Sequence, residues 1–143
     1  LDNAEREGRR GSELVPLATV LTPNALEAGA LLRTSPPCSV GEMHDAARAL
    51  SAFGAERILV TGGHVDAESS DCVDVLFGGR DVLELRTARV PGAGIHGSGC
   101  RLSSAIASLL ALGASVPDAC AQAQQFVARA VAVANARSLV EAI

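Results

Sequence analysis

The chain has 143 residues and a formal net charge of −4, and 48% of its residues are hydrophobic. This length and composition fit one domain with an aliphatic core, because only 2% of the residues are aromatic. All twelve basic residues are arginine, which excludes a complete P-loop and Schiff-base chemistry, since each needs a lysine. Few aromatic side chains and no basic stripe argue against nucleic acid as a partner.

The cysteines indicate neither a zinc site nor a disulfide framework. Cys38, Cys72, Cys100 and Cys120 form no Cys-x-x-Cys pair, and a core-forming composition is typical of a reducing compartment. The longest apolar run, residues 105–112, is far shorter than the ~20 residues that a membrane span requires. No signal peptide is recognisable. We therefore predict a cytoplasmic protein without a membrane partner.

The first half of the chain predicts two strands and two helices. An apolar run at residues 17–21 predicts a buried strand, which Pro23 ends because proline cannot donate to a β-ladder. Helices are predicted at residues 24–32 and 41–53, with a proline-containing loop between them. A second buried strand is predicted at residues 57–61.

The second half predicts a β-hairpin followed by two helices. Two short apolar segments, residues 73–77 and 82–85, flank the Gly-rich turn 78–81. Apolar stripes at helical spacing predict helices at residues 97–112 and from residue 116 onward. Strands and helices alternate, and the buried strands are continuous apolar runs. This pattern predicts an α/β fold in which helices cover a sheet.

The strongest chemical signal follows a Gly-rich loop at residues 90–95 and leads directly into a helix: Gly94-Ile95-His96-Gly97-Ser98-Gly99-Cys100. Small residues leave consecutive N–H groups unblocked, and at a helix start such groups form a site for phosphate oxygens. Cys100 falls in the first helical turn, where the positive helix end favours its thiolate. Such a thiol could accept a proton from a substrate hydroxyl or position it. A Gly-rich turn with a buried cysteine fits the same residues equally well.

The same segment also has the spacing of a dinucleotide fingerprint, Gly92-x-Gly94-x-x-Gly97. That fingerprint belongs after the first strand of a βαβ unit, with an acidic residue about 20 positions further on, after another strand. Here the next predicted element is a helix, and Asp118 lies in its first turn. We therefore reject the dinucleotide interpretation.

Asn24 and Glu27 form a second signal with two interpretations. Their spacing fits a capping box, in which each side chain accepts a hydrogen bond from the backbone N–H of the other residue. Glu27 could also lie near Mg²⁺ through a water molecule, because Mg²⁺ keeps part of its hydration shell. The two interpretations do not exclude each other.

A third signal, Thr61-Gly62-Gly63-His64, follows the second buried strand. A glycine pair in this position would let a ligand approach the backbone closely, although it is equally a plain turn. His64 and His96 are isolated loop histidines, and we predict neither of them as a catalytic base.

Together, in this order and spacing, the three segments resemble the hydroxymethylpyrimidine/phosphomethylpyrimidine kinase family. Residues 22–28 match its Thr-Pro-Asn-x-x-Glu-Ala stretch, and residues 62–64 match its Gly-Gly-His. Residues 96–100 match its His-Gly-Thr-Gly-Cys, with Ser98 keeping the hydroxyl, and residues 102–107 continue the match into the helix. The resemblance covers nearly all of the chain.

The resemblance implies a ribokinase-like α/β sandwich, of which this chain would be the C-terminal, nucleotide-side part. It implies transfer of the γ-phosphoryl group of ATP, with Mg²⁺, to the hydroxymethyl group of a pyrimidine and then to its monophosphate, in thiamine synthesis. The residues that it assigns are, for catalysis, Cys100 with an anion hole of Gly97, Ser98 and Gly99; for the nucleotide phosphates, Thr61, Gly62 and Gly63; and for Mg²⁺, Asn24 and Glu27.

The chain departs from the family pattern in two ways. Thr61 stands where the family typically has a lysine before Gly-Gly-His. The family's N-terminal half, which carries most of the pyrimidine pocket and the first strands, is absent, and the first methionine is Met43. Missing strands would expose sheet edges and apolar faces. We therefore expect a fragment that is not a competent kinase by itself, whereas its longer parent is.

Other functions fit part of the pattern. A pyridoxal kinase shares the Cys-bearing loop, and a hydroxyethylthiazole kinase has a similar loop but fits residues 62–64 less well. A non-catalytic module that binds nucleotide, or only mediates association, would also explain the missing lysine and the missing half. The expected small-molecule partners are ATP and an alcohol, and a homodimer is compatible with the sequence.

Overall fold

The computed structural model describes residues 13–92 and 97–141. Its helices are α1 (Ala25–Leu32), α2 (Val40–Leu50), α3 (Ser98–Ala111) and α4 (Val116–Glu141), and its strands are β1 (Ile58–Val60), β2 (Asp71–Gly78) and β3 (Asp81–Ala88). Each predicted helix, the predicted second strand and the predicted hairpin are therefore confirmed. Within the described ranges, no helix combines the length and the hydropathy that a membrane crossing demands.

The three strands form an antiparallel sheet in the order β1-β2-β3. The hairpin of β2 and β3 pairs Gly78 with Asp81, which leaves Gly79 and Arg80 as a two-residue loop. Gly79 adopts a φ of 70°, a left-handed conformation that glycine reaches without steric cost. The ladder continues to the far ends of both strands, so the hairpin is longer than the apolar segments predicted.

The strand predicted at residues 17–21 is wrong in its extent. Val15–Leu17 instead forms a single 3-10 turn. Pro16 is the second residue of that turn, where its missing N–H costs nothing because no helical partner exists for it. The backbone returns to an extended conformation at Ala18, so the extended segment begins later than predicted.

An extended segment around Leu21 runs parallel to β1 and is hydrogen-bonded to this edge of the sheet. The Leu21 N–H donates to the Arg57 carbonyl at 2.9 Å, and the Leu21 carbonyl accepts from the Leu59 N–H at 2.8 Å. Further along, the Thr61 N–H donates to the Pro23 carbonyl at 2.9 Å. These bonds set the end of the segment beside the end of β1.

Alternating side chains of the sheet enter two apolar clusters, one on each face. From β1, Ile58 and Val60 enter the first cluster and Leu59 the second, as the two-residue period of a strand requires. Helices α1 and α2 cover the first cluster, and α3 and α4 cover the second. The buried helical residues in these clusters are Ala25, Ala28, Met43, Ala47 and Leu50 on one face and Leu102, Ile106, Ala119, Cys120 and Ala123 on the other. This helix–sheet–helix sandwich confirms the predicted α/β arrangement.

Candidate functional site

A cavity of about 610 Å³ lies where three segments of the chain meet. Its lining includes Asn24 before α1, Thr61 and Gly63 after β1, and Ser98 and Gly99 at the start of α3. Each of the three segments that the sequence singled out therefore contributes to one cavity.

Two contacts fix these segments relative to one another. Asn24 and Thr61 form a parallel β-bridge, which places the segment before α1 beside the end of β1. The Thr22 and Ser103 hydroxyl oxygens lie 2.9 Å apart, and this contact ties the same segment to the second turn of α3. Ser103 Oγ also donates to the Gly99 carbonyl at 3.1 Å, so Thr22 is the donor in the first contact.

The start of α3 offers backbone N–H groups at the cavity. Gly97 precedes the helix in the left-handed region, with a φ of 81°, and supplies no side-chain cap. Among the described residues, the N–H groups of Ser98, Gly99 and Cys100 find no protein acceptor. Unpaired N–H groups at the positive end of a helix favour an anion. The preceding residues 93–96, which include the predicted loop position of His96, lie outside the described residues.

Cys100 lies at the same helix start but does not line this cavity. Its side chain is exposed, so the alternative of a buried cysteine at this position is wrong. The thiol lines a neighbouring groove of about 640 Å³ on the outer faces of α3 and α4, together with Ser104, Leu109 and Phe126. The structure therefore places Cys100 beside, and not among, the other predicted site residues.

Gly62 and Gly63 differ in their surroundings. A Cβ atom on Gly62 would lie 2.0 Å from the Val73 carbonyl oxygen, so any side chain there would collide with β2. The Gly62 N–H donates to Asp74 Oδ1 at 2.9 Å. Gly63 lines the cavity, and a Cβ atom there would meet nothing within 4 Å. Gly62 thus has a packing role, and Gly63 is the residue that a ligand can approach.

The capping box predicted for Asn24 and Glu27 is present. Asn24 Oδ1 accepts from the Glu27 N–H, and Glu27 Oε2 accepts from the Asn24 N–H, both at 2.9 Å. Asn24 lines the cavity, whereas Glu27 does not. Nowhere in residues 13–92 and 97–141 do three or more His, Cys, Asp or Glu side chains form a metal-binding group. The Glu27 carboxylate keeps one oxygen outside the capping box. A single carboxylate of this kind fits an Mg²⁺ ion whose other ligands are mostly water and phosphate.

Asp74, on β2, is a cavity residue that lies outside the three sequence motifs. It is only 4% exposed. Burial raises the pKa of its carboxyl to about 6, and hydrogen bonds from the Gly62 amide and from Gln124 oppose that rise only in part. The signal in the sequence that could have identified Asp74 is its position as the one charged residue inside the apolar run 73–77.

Cys72 and Cys120 lie beside Asp74, and their thiols remain protonated at neutral pH. Burial raises the pKa of each thiol to about 11, and the negative charge of Asp74 adds to the rise. For Cys72 the positive charge of Arg89 acts in the opposite direction. Because the thiolate is the reactive form of cysteine, neither residue is a candidate nucleophile or base.

Arg89, directly after β3, is another cavity residue that no sequence motif indicated. Its guanidinium donates to five carbonyl oxygens within residues 63–71. These acceptors lie 18 to 26 residues earlier in the chain, so no local pattern could have identified them.

Comparisons with known proteins connect the chain to a group of kinases. The family model described as phosphomethylpyrimidine kinase matches residues 3–140. A chloroplastic thiamine biosynthetic bifunctional enzyme of Arabidopsis thaliana is 43% identical over 118 residues, which cover 82% of this chain and 22% of that enzyme. A hydroxymethylpyrimidine/phosphomethylpyrimidine kinase of Rhizobium meliloti is 35% identical over 123 residues, covering 86% of this chain and 46% of that kinase.

A solved structure has a similar fold. The pyridoxal kinase of Staphylococcus aureus, in complex with AMP-PCP and pyridoxal, matches with a TM-score of 0.81 and 31% identity. The match covers 87% of this chain and 46% of that kinase. The chain thus spans less than half the length of each of these three relatives.

Replacing Asp74 with Asn is expected to remove a pH dependence of stability. The carboxyl has an ordinary pKa of 3.8 and a pKa of about 6 in the folded chain, so the folded chain holds its proton more tightly. This proton therefore adds to the free energy of unfolding in full below about pH 4, and its contribution is lost as the pH rises through 6. The free energy of unfolding changes by roughly 3 kcal/mol over this range.

Urea unfolding of the wild type and the Asp74→Asn variant between about pH 4 and 7.5 measures this effect. The wild type should lose free energy of unfolding relative to the variant as the pH rises. Asp81→Asn, at the exposed first residue of β3, is the matched control and should leave the pH profile unchanged. Parallel pH profiles for the wild type and Asp74→Asn would contradict the assignment.

Proposed function

Because the chain belongs to the phosphomethylpyrimidine kinase family and shares the ribokinase-like α/β fold of its solved relatives, we propose a kinase function for the whole protein. In this proposal the cavity binds the phosphates of ATP, and the whole protein phosphorylates hydroxymethylpyrimidine and then its monophosphate. Its main support is the pair of N–H groups of Ser98 and Gly99, which have no acceptor within residues 13–92 and 97–141 and lie at a cavity that three segments build. Family membership confirms the resemblance predicted from the sequence.

The start of α3 holds the transferring phosphoryl group. Phosphoryl transfer depends almost entirely on positioning and on stabilisation of the charge on the phosphate oxygens. The N–H groups of Ser98 and Gly99 donate to those oxygens, and the positive end of the helix adds to the attraction. Thr61 and Gly63 lie along the remaining phosphates, where the open space at Gly63 lets the nucleotide approach the backbone.

Asn24 and Glu27 form the magnesium side of the proposed site. When bound, Mg²⁺ neutralises part of the negative charge of the ATP phosphates. Glu27 would orient the water ligands of the Mg²⁺ ion, since the Glu27 carboxylate has one oxygen in the capping box and one outside it. Asn24, which lines the cavity, would fix the position of Glu27 through the capping box.

Cys100 acts on the acceptor alcohol. We place the alcohol on the Cys100 side of the helix start, because the thiol is exposed there and does not line the nucleotide cavity. The Cys100 thiolate accepts the hydroxyl proton as the alcohol oxygen bonds to the γ-phosphorus. The bond from that phosphorus to the β–γ bridging oxygen breaks, and ADP leaves with the electron pair.

Pyridoxal is the second candidate substrate, since the solved Staphylococcus aureus relative is a pyridoxal kinase with pyridoxal bound. Measuring kcat/KM of the whole protein for hydroxymethylpyrimidine, its monophosphate and pyridoxal decides between the two. A higher kcat/KM for pyridoxal than for the two pyrimidines would identify pyridoxal as the substrate. Phosphorylation of none of the three would contradict the kinase proposal and favour a module that only binds nucleotide.

A carboxylate at the phosphate site is expected to repel the nucleotide. Gly99→Asp places a negative charge at the second residue of α3, where a Cβ atom meets nothing within 4 Å. The affinity of the Gly99→Asp variant for Mg-AMP-PCP, measured by calorimetry in the whole protein, should fall by roughly tenfold to a hundredfold. Gly41→Asp, at the second residue of α2, is the matched control and should bind as the wild type does. Equal affinities of Gly99→Asp and the wild type would contradict the proposed phosphate site.

Removing the thiol is expected to slow the chemical step and spare nucleotide binding. Cys100→Ala should lower kcat by about 10²- to 10⁴-fold, the usual contribution of a general base, with little change in the KM for ATP. Cys38→Ala removes another exposed thiol outside the cavity and serves as the control. Steady-state kinetics of the whole protein check both variants, and unaltered turnover of Cys100→Ala would remove Cys100 from the mechanism.

A further inference from the structure

The loop between β1 and β2 is held by the side chain of Arg89. The hydrogen bonds are Nε to the Ser69 carbonyl (3.0 Å), Nη1 to the Gly63 carbonyl (2.9 Å), and Nη2 to the carbonyls of Val65 (2.9 Å), Asp66 (3.0 Å) and Asp71 (3.2 Å). The five acceptors belong to residues 63–71, which we call the 63–71 loop. One side chain therefore contacts the loop along its whole length.

The backbone N–H of Arg89 also reaches the loop and donates to the Ser70 carbonyl at 2.7 Å. The hydrogen bonds that the loop residues make among themselves are short-range. The Ser69 N–H donates to the Asp66 carbonyl at 3.0 Å, and the Asp71 N–H donates to Ser69 Oγ at 3.2 Å. Asp66 adopts a φ of 48°, a left-handed conformation that is uncommon outside glycine. Val65 also packs into the first apolar cluster. Short-range bonds define the local turns, whereas Arg89 connects those turns to the end of β3.

The loop forms one side of the cavity. Gly63, His64 and Ala67 line it, as does Arg89 itself. A guanidinium presents five N–H donors in a planar fork, whereas a lysine ammonium is a compact head with three rotating donors. Only arginine can therefore reach carbonyl groups on several sides of the same loop at once.

We propose that Arg89 is a positioning residue that sets nucleotide affinity by holding the 63–71 loop as one side of the cavity. The inference rests on the proposed function, because it takes this cavity to be the nucleotide site. Arg89 acts through the loop backbone and does not need to contact a phosphate, since Nε and both Nη atoms already donate to loop carbonyls. Rigid placement of binding groups lowers the entropy that binding costs.

Arg89→Lys tests the proposal because it keeps the positive charge and removes the fork. We expect amide hydrogen exchange in residues 64–71 to accelerate about tenfold or more, and Mg-AMP-PCP affinity to fall about tenfold. Arg80→Lys, at the exposed hairpin turn, is the matched control and should change neither measurement. Both variants are made in the whole protein, and the amides of residues 73–77 in β2 report whether the fold is intact. Should Arg89→Lys unfold, Arg89→Gln, which keeps two N–H donors, takes its place.

The two readouts separate this inference from the proposed function. A wild type that binds no nucleotide overturns the proposed function before any variant is compared. A wild type that binds, with an Arg89→Lys variant of equal affinity, overturns only the role of Arg89. Unchanged exchange in residues 64–71 of the variant also overturns it, because the loop would then be held by other contacts. Faster loop exchange together with weaker binding supports it.

Discussion

The parallel alignment of the segment around Leu21 with β1 is the constraint on which the cavity depends. The hydrogen bond from the Thr61 N–H to the Pro23 carbonyl holds the ends of these two extended segments together, although the two residues are 38 positions apart in sequence. Parallel strands end at the same edge of a sheet, and ligands of open α/β sheets bind in the crevice beyond those ends. The Thr22–Ser103 contact then attaches the start of α3 to this edge, so that helix-start N–H groups reach the cavity.

Because the chain contains no lysine, the phosphate site that we propose in it depends on groups other than an ammonium. The cavity lining combines backbone N–H groups at the start of α3 with neutral hydroxyls of Ser98 and Thr61. Arg89 is the one arginine among the lining residues that the structure describes, and its N–H groups are largely committed to the 63–71 loop. Directed N–H groups on fixed backbone can stabilise charge without much reorganisation, which suits phosphoryl transfer. The threonine at position 61 is consistent with such a site.

Buried polar groups beneath the cavity hold its floor in place. Asp74 loses hydration in the interior, and that loss is offset in part by the hydrogen bond that it accepts from the Gly62 N–H. Gln124 donates to the Leu85 carbonyl and so links α4 to the sheet at the same level. No buried side-chain nitrogen or oxygen among the described residues lacks a hydrogen-bond partner. The floor is therefore polar but satisfied, which fixes the backbone that carries Gly63.

Features whose interactions span only a few residues could be predicted from local sequence patterns. The capping box of Asn24 and Glu27, the two-residue hairpin turn and the helical stripes follow from local hydrogen bonding and periodicity. The family could be identified as well, because its motifs are short and contiguous. Tertiary structure decided the rest, since Arg89 and Asp74 find their partners 12 to 26 residues away. It also turned Cys100 away from the cavity that Ser98 and Gly99 line, because the packing of a helix fixes which side of its first turn each residue faces.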